Sequence, residues 1–309
     1  MRILLQFPEG LKQYALEYSR KLESEGNEVF ISASPTYGAC DLALDEMYRI
    51  KAEKLVHFGH NEFMHIQDNV EYVPFTMDAD LALLEKAARE ELCMYYKVGL
   101  VTTVQHIHQI DEAKAVLEAA GKEVVIGRPY GFAKARGQIL GCDVGSATTI
   151  DKDVDCFVYF GGGLFHPLGA VYCTKRPFLS VDPFAGRYEW LDKWRERRAK
   201  ESKGKITLGL YAKTFGILVS TKNGQHNVNL AKMLKSMIEQ SGLDAALLLS
   251  NTFDFDSLNN MMQFDAFVNT ACPRIATDDT DRLRKPLLSA SELMEMLKIR
   301  NEGIRAAGP

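Results

Sequence analysis

The chain contains six cysteines among 309 residues. In a reducing compartment, thiols of this number are buried small hydrophobes or metal ligands rather than disulfides. Three of them stand where apolar runs give way to glycine or proline: Tyr37-Gly38-Ala39-Cys40-Asp41, Ile139-Leu140-Gly141-Cys142-Asp143 and Asn269-Thr270-Ala271-Cys272-Pro273. Three thiolates brought to one point would ligate a 4Fe-4S cluster and leave one iron open for chemistry. The plainer alternative, free cysteine as a packed hydrophobe, suits Cys93 at a helix end, Cys156 inside a strand, and Cys173.

Other chemistry is spread along the chain. Gly161, Gly162 and Gly163 follow an apolar strand, so their amides could approach a polar ligand closely, or form a plain turn. No G-x-G-x-x-G or G-x-x-x-x-G-K-[ST] pattern accompanies them, which counts against a dinucleotide or triphosphate site. Gln225, in Lys222-Asn223-Gly224-Gln225, can both donate and accept, as an adenine or an amino-acid head group requires, or it can sit in a solvated turn. Arg274 can fork onto a carboxylate or pair with Asp278, Asp279 or Asp281. Pro273 fixes the backbone beside Cys272. His57, His60 and His65, with His106, His108 and His166, raise a zinc hydrolase with three protein ligands. No H-E-x-x-H motif supports it, and protein docking or dimer contact is the other reading of these side chains.

These residues need a scaffold, and the scaffold is repeated. An apolar strand over 2–7, a helix over 11–23 and a strand over 28–33 form a β-α-β unit, with Gly26 at the turn. The order returns as a strand over 97–104, a helix over 111–120 and a strand over 123–127. Gly26-Asn27-Glu28-Val29 and Gly121-Lys122-Glu123-Val124 align at one offset. A third round is expected as a strand over 206–212, a helix over 228–240 and a strand over 244–249. Third strands (54–59, 154–160, 264–270) and short fourth ones (70–75, 176–181, 286–288) complete each round. Strands alternating with helices imply parallel pairing. The expected fold is α/β, three repeated domains, each a small four-stranded parallel sheet flanked by helices, arranged around a central cluster site. The domains are 1–92 with Cys40, 93–203 with Cys142, and 204–309 with Cys272. Cys40 and Cys142 follow the second strand of their rounds, whereas Cys272 follows the third.

A net charge of −4 with no concentrated basic patch argues against nucleic acid. No apolar stretch approaches the roughly 20 residues of a membrane helix. Met1 leads straight into a strand without a signal-peptide pattern, so a cytoplasmic location is expected.

Taken together, Phe7-Pro8-Glu9-Gly10-Leu11, the Cys40 segment, Leu55-Val56-His57-Phe58-Gly59-His60, the run from Phe160 through His166 to Gly169, Ser220-Thr221-Lys222-Asn223-Gly224-Gln225 and the Cys272 segment resemble one family across the whole chain. That family is the archaeal diphthamide-biosynthesis enzymes, 2-(3-amino-3-carboxypropyl)histidine synthases. The resemblance implies a homodimer of three-domain subunits with Cys40, Cys142 and Cys272 as cluster ligands. It implies radical use of S-adenosylmethionine without a Cys-x3-Cys-x2-Cys loop, which this chain lacks. The open iron would hold the methionine part, and an electron donor would reduce the cluster. One electron would then break the bond from sulfur to Cγ and release methylthioadenosine. The 3-amino-3-carboxypropyl radical would add to C2 of a histidine in elongation factor 2. Gly161, Gly162, Gly163, Gln225 and Arg274 are the residues expected near the cosubstrate. Competing readings are a nucleotide- or sugar-phosphate-binding protein using the Gly161 loop, the zinc hydrolase, and a non-catalytic α/β scaffold.

Overall fold

The computed structural model describes residues 1–276 and 282–307. The chain divides into two compact units, Met1–Arg195 and Glu196–Pro309.

The first unit carries two sheets. In one, β1 (Arg2–Gln6) is followed by α1 (Ala15–Ser24), β2 (Glu28–Ile31), α2 (Leu44–Arg49), β3 (Lys54–Phe58) and β4 (Val70–Val73). The strands lie in the order β2-β1-β3-β4, all parallel. The apolar residues of β1 and β3 are buried because these strands are central and covered on both faces. Leu11 and Ala15 pack beneath with Val56 and Phe58, and Tyr18 and Leu22 extend the same helical stripe.

After α3 (Ala82–Glu91), the second sheet is built from β5 (Lys97–Thr102), α4 (Ile110–Ala119), β6 (Glu123–Val125), α5 (Gly145–Thr148), β7 (Cys156–Phe160), α6 (Phe165–Cys173), β8 (Phe178–Asp182) and β9 (Arg187–Trp190). Its order is β6-β5-β7-β8-β9. The first four strands repeat the parallel pattern, and β9 adds an antiparallel edge to β8. That fifth strand was not expected from the sequence, whose short half-buried run Arg187–Trp190 has no continuous apolar core.

The second unit holds most of α7 (Asp192–Gly209), then β10 (Thr214–Ser220), α8 (Val228–Gln240), β11 (Asp244–Ser250), α9 (Phe255–Asn259), β12 (Ala266–Asn269), β13 (Leu287–Ser289) and α10 (Ala290–Ala307). Its sheet is parallel in the order β11-β10-β12-β13, the same order as the first. Each first strand runs into a 3-10 turn, at Glu9–Tyr14, Val104–Gln109 and Asn223–Gln225. Gly26, Gly121 and Gly242 end the equivalent helices with positive φ, the left-handed cap that glycine adopts without a Cβ clash.

One expectation is overturned. Residues 206–212, expected as a strand, include the end of α7 and the turn after it. Ile206, Leu208 and Leu210 alternate like a strand, yet Ile206 and Gly209 face inward at helical spacing while Leu208 is 59% exposed. The actual first strand is β10, whose Phe215-Gly216-Ile217-Leu218-Val219 core is buried. The expected boundary at 203/204 falls inside α7.

α10 begins with a capping box. Glu292 Oε2 accepts from the Ser289 amide (2.7 Å), and Ser289 Oγ accepts from the Glu292 amide (3.3 Å). Burial pushes the Glu292 carboxyl up. This is outweighed by the Ser289 amide, the Ser202 hydroxyl, Arg198 and Lys205, so its pKa lies below 4.5. A depressed folded-state pKa contributes stability that is present above the unfolded value and is lost as pH falls through the folded one. Chemical denaturation should therefore show the wild-type chain losing stability below pH 4.5, and Glu292→Gln should flatten that loss while lowering stability near neutrality by about 1 kcal/mol.

Candidate functional site

The Cys40 loop follows β2 and is held from beneath by Gln6, the last residue of β1, which is 2% exposed. Gln6 Nε2 donates to the Asp41 carbonyl (2.7 Å) and to Thr36 Oγ1 (3.3 Å), while its Oε1 accepts from the Ala43 amide (3.1 Å). Asp41 closes the turn by accepting from the Tyr37 amide (3.1 Å). His57 stands beside Gln6 in the β1–β3 register. Its Nδ1 lies 2.9 Å from Gln6 Oε1, and its Nε2 lies 3.0 Å from His60 Nδ1. Burial lowers the His57 pKa to about 3 and the His60 pKa to about 4, so both rings are neutral.

The Cys142 loop follows β6, and Asp143 is its clamp. Asp143 accepts from the Phe132, Ala133 and Gly145 amides. Gly141 lies against Phe165, where a Cβ would come within 2.2 Å of the ring. Gly169 on α6 lies against the Gly141 carbonyl, where a Cβ would come within 2.5 Å of its oxygen. Glycine at both positions lets the loop seat on α6. Two contacts join the β3 side to this region: Asn61 donates to Gln138 Oε1 (3.4 Å), and Phe63 stacks on Phe132 at 3.9 Å.

In the second unit, Asn269 ends β12 and clamps the Cys272 loop. Its Nδ2 donates to the Cys272 carbonyl (2.9 Å), and its Oδ1 accepts from the Ala271 amide (3.0 Å). Thr270 Oγ1 donates to the Leu218 carbonyl on β10 (2.7 Å). Arg274 lies in the turn Pro273–Ala276. Asp278, Asp279 and Asp281, its expected ion-pair partners, lie outside the described residues. Gln225 is buried in the turn after β10, beside Lys222, whose Nζ donates to Asn251 Oδ1 (3.1 Å).

Two of the three amides in the Gly161 loop bond to the protein itself. Gly161 donates to the Val181 carbonyl (3.0 Å) and Gly163 to Asp182 Oδ2 (3.1 Å). Tyr159 donates to the Gly162 carbonyl (3.1 Å). His57 and His60 are the histidines brought into contact with each other among the described residues. His65 is exposed between Glu62 and Asp68, His108 meets Asp78, and His106 is buried with Nδ1 donating to the Met77 carbonyl.

Burial pushes Cys156 up to about 12, so it is held protonated. Cys93 is exposed and donates to the Arg89 carbonyl. Cys40, Cys142 and Cys272 alone sit in loops clamped by polar side chains at strand ends. Among the described residues, no three His, Cys, Asp or Glu side chains are grouped to hold a metal ion. Three soft thiols are the donor chemistry that suits an iron–sulfur cluster.

Fold and loops together define an α/β protein that offers thiols from strand-end loops. The profile of the family described as "Putative diphthamide synthesis protein" matches residues 7–305. The chain is 35% identical over 305 residues to the 2-(3-amino-3-carboxypropyl)histidine synthase of Pyrococcus horikoshii, covering 97% of this chain and 87% of that protein. It is 29% identical to subunit 1 of the Nematostella vectensis synthase, covering 94% of this chain but only 62% of that protein. The crystal structure of Dph2 from Pyrococcus horikoshii with a 4Fe-4S cluster superposes with a TM-score of 0.88 at 34% identity, covering 97% of this chain and 87% of that one. The chain belongs to the diphthamide synthesis protein family, and the curated relatives it matches are enzymes by name.

Sequence reasoning missed Gln6 and Asn269 as loop clamps: Gln6 is far in sequence from the Asp41 carbonyl and the Ala43 amide that it binds, whereas Asn269 caps its own loop at Ala271 and Cys272, a local Asn-turn signal that could have been found. The Cys-Asp pair that recurs at Cys40 and Cys142 did carry a signal, since both aspartates tie their own loops. Gln6→Leu leaves the Asp41 carbonyl and the Ala43 amide without this partner and should cost about 2–4 kcal/mol. In a denaturant titration this appears as a lower midpoint, and Cys40 should alkylate faster while Cys93 is unchanged.

Proposed function

We propose that the chain is a 2-(3-amino-3-carboxypropyl)histidine synthase, transferring that group from S-adenosylmethionine to C2 of a histidine in elongation factor 2, the first step of diphthamide biosynthesis. The observation that carries the reading is the set of three clamped thiol loops, in a chain that matches a cluster-bound relative over nearly its whole length. Cys40, Cys142 and Cys272 would be the ligands of the 4Fe-4S cluster. When bound, that cluster supplies an open iron for the methionine part of the cosubstrate and the electron that breaks its bond from sulfur to Cγ.

The chain's own residues have three tasks. Gln6, Asp143 and Asn269 fix the ligand loops, since an error of about 1 Å in placement can cost roughly a hundredfold in rate. Gln225, buried at the end of β10, is assigned to a polar edge of the cosubstrate, and Arg274 to its carboxylate. The Gly161–Gly163 loop lends shape rather than amides, because two of its three N–H groups are already bonded. The reading retains three repeats, with Cys40, Cys142 and Cys272 one in each and the last boundary moved out of α7, together with a homodimer, an electron donor and a cytoplasmic location. No helix among the described residues is long and apolar enough to cross a membrane.

Protein purified without oxygen should contain about four irons per chain and, with dithionite and S-adenosylmethionine, release methylthioadenosine in place of deoxyadenosine. Alanine at Cys40, Cys142 or Cys272 should sharply lower iron content, with Cys93→Ala as the unaffected control. Full iron in Cys142→Ala would defeat the ligand assignment. Gln225→Ala and Arg274→Ala should retain iron and weaken cosubstrate binding about tenfold each, read by equilibrium binding, a loss of about 1.4 kcal/mol.

A further inference from the structure

The His57–His60 pair has no task in the reaction as described so far, and the backbone fixes its proton positions. The Ala43 amide donates to Gln6 Oε1 while Gln6 Nε2 donates to the Asp41 carbonyl, so the Gln6 amide cannot be turned over. Gln6 Oε1 can only accept, so the proton between it and His57 is on His57 Nδ1. His57 Nε2 is then bare, and His60 Nδ1 must donate to it across 3.0 Å. His60 Nε2 is left as a lone pair. It faces the Cys40 loop, 3.6 Å from the point where a Cβ on Gly38 would sit, and His60 is only half-buried.

We propose that His60 Nε2 accepts the ring N–H of the target imidazole and so orients its C2 for attack. The inference rests on the function proposed above. A neutral imidazole carries one N–H, and both of its nitrogens flank C2. Anchoring that N–H selects one tautomer and places C2 next to the anchored atom. His57 and Gln6 are positioning residues in this scheme, since they keep the proton off the acceptor and set the ring plane. Their hydrogen bonds act through His60 and do not reach the substrate.

The test uses the full chain, anaerobically reconstituted and reduced, with labelled S-adenosylmethionine and elongation factor 2. For each variant, group transferred is divided by methylthioadenosine released, which cancels differences in cluster loading. His60→Phe should lower that ratio at least tenfold, and His60→Gln, which restores an acceptor, should recover part of it. An unchanged ratio in His60→Phe would overturn the proposal. So would equal losses of release and transfer, which would place His60 on the cosubstrate instead. Independently of activity, nitrogen-15 spectra of the imidazoles should show His57 and His60 both protonated at Nδ1. A protonated Nε2 on His60 would overturn the proposal even in an active enzyme. If the wild-type chain binds no iron and releases no methylthioadenosine, the functional reading itself fails, which is a separate result from a failed ratio in a working enzyme.

Discussion

A cysteine loop at a strand end exposes backbone groups that the sheet can no longer pair, and an unpaired buried amide or carbonyl costs about 1–3 kcal/mol. The structure meets that constraint in the same way each time, with a polar side chain that engages the loop backbone. Gln6 binds the Asp41 carbonyl and the Ala43 amide, Asp143 gathers three amides, and Asn269 spans Ala271 and Cys272. Gln6 and Asn269 use both ends of an amide, which can donate and accept at once. Asp143 meets only donors, and an acceptor-only carboxylate suits them. Side-chain type at each clamp therefore follows from the polarity of the loop it serves.

Much of the scaffold was legible because its signals are local. The glycines that end α1, α4 and α8 mark the turns, and continuous apolar runs mark the central strands. The error at 206–212 arose where Ile206, Leu208 and Leu210 imitate strand alternation over a stretch too short for the helical period to show. The adjacent run Phe215–Val219 was the better candidate, being unbroken and ending in β-branched Val219, as a central parallel strand is. The site was legible only in part. Cysteines beside turn residues stand out, but the bond between Gln6 and His57 spans 51 positions and exists only once β1 and β3 lie side by side. Loop partners chosen by register leave no local pattern.

In the first unit His57 and His60 are kept neutral by burial, and the Asp41 and Asp143 carboxylates accept from backbone amides. Hydrogen-bond direction is what the side chains around these loops specify.

The contact between Gly141 and Gly169 constrains how this sequence can drift. At Gly141 a side chain would meet the Phe165 ring, which a smaller residue at Phe165 could replace, so change there has a compensated route. At Gly169 the obstacle is a backbone oxygen, which no substitution elsewhere removes. Two glycines in one contact thus have unequal evolutionary freedom: one position can move together with a partner, while the other holds until the whole Cys142 loop is rebuilt.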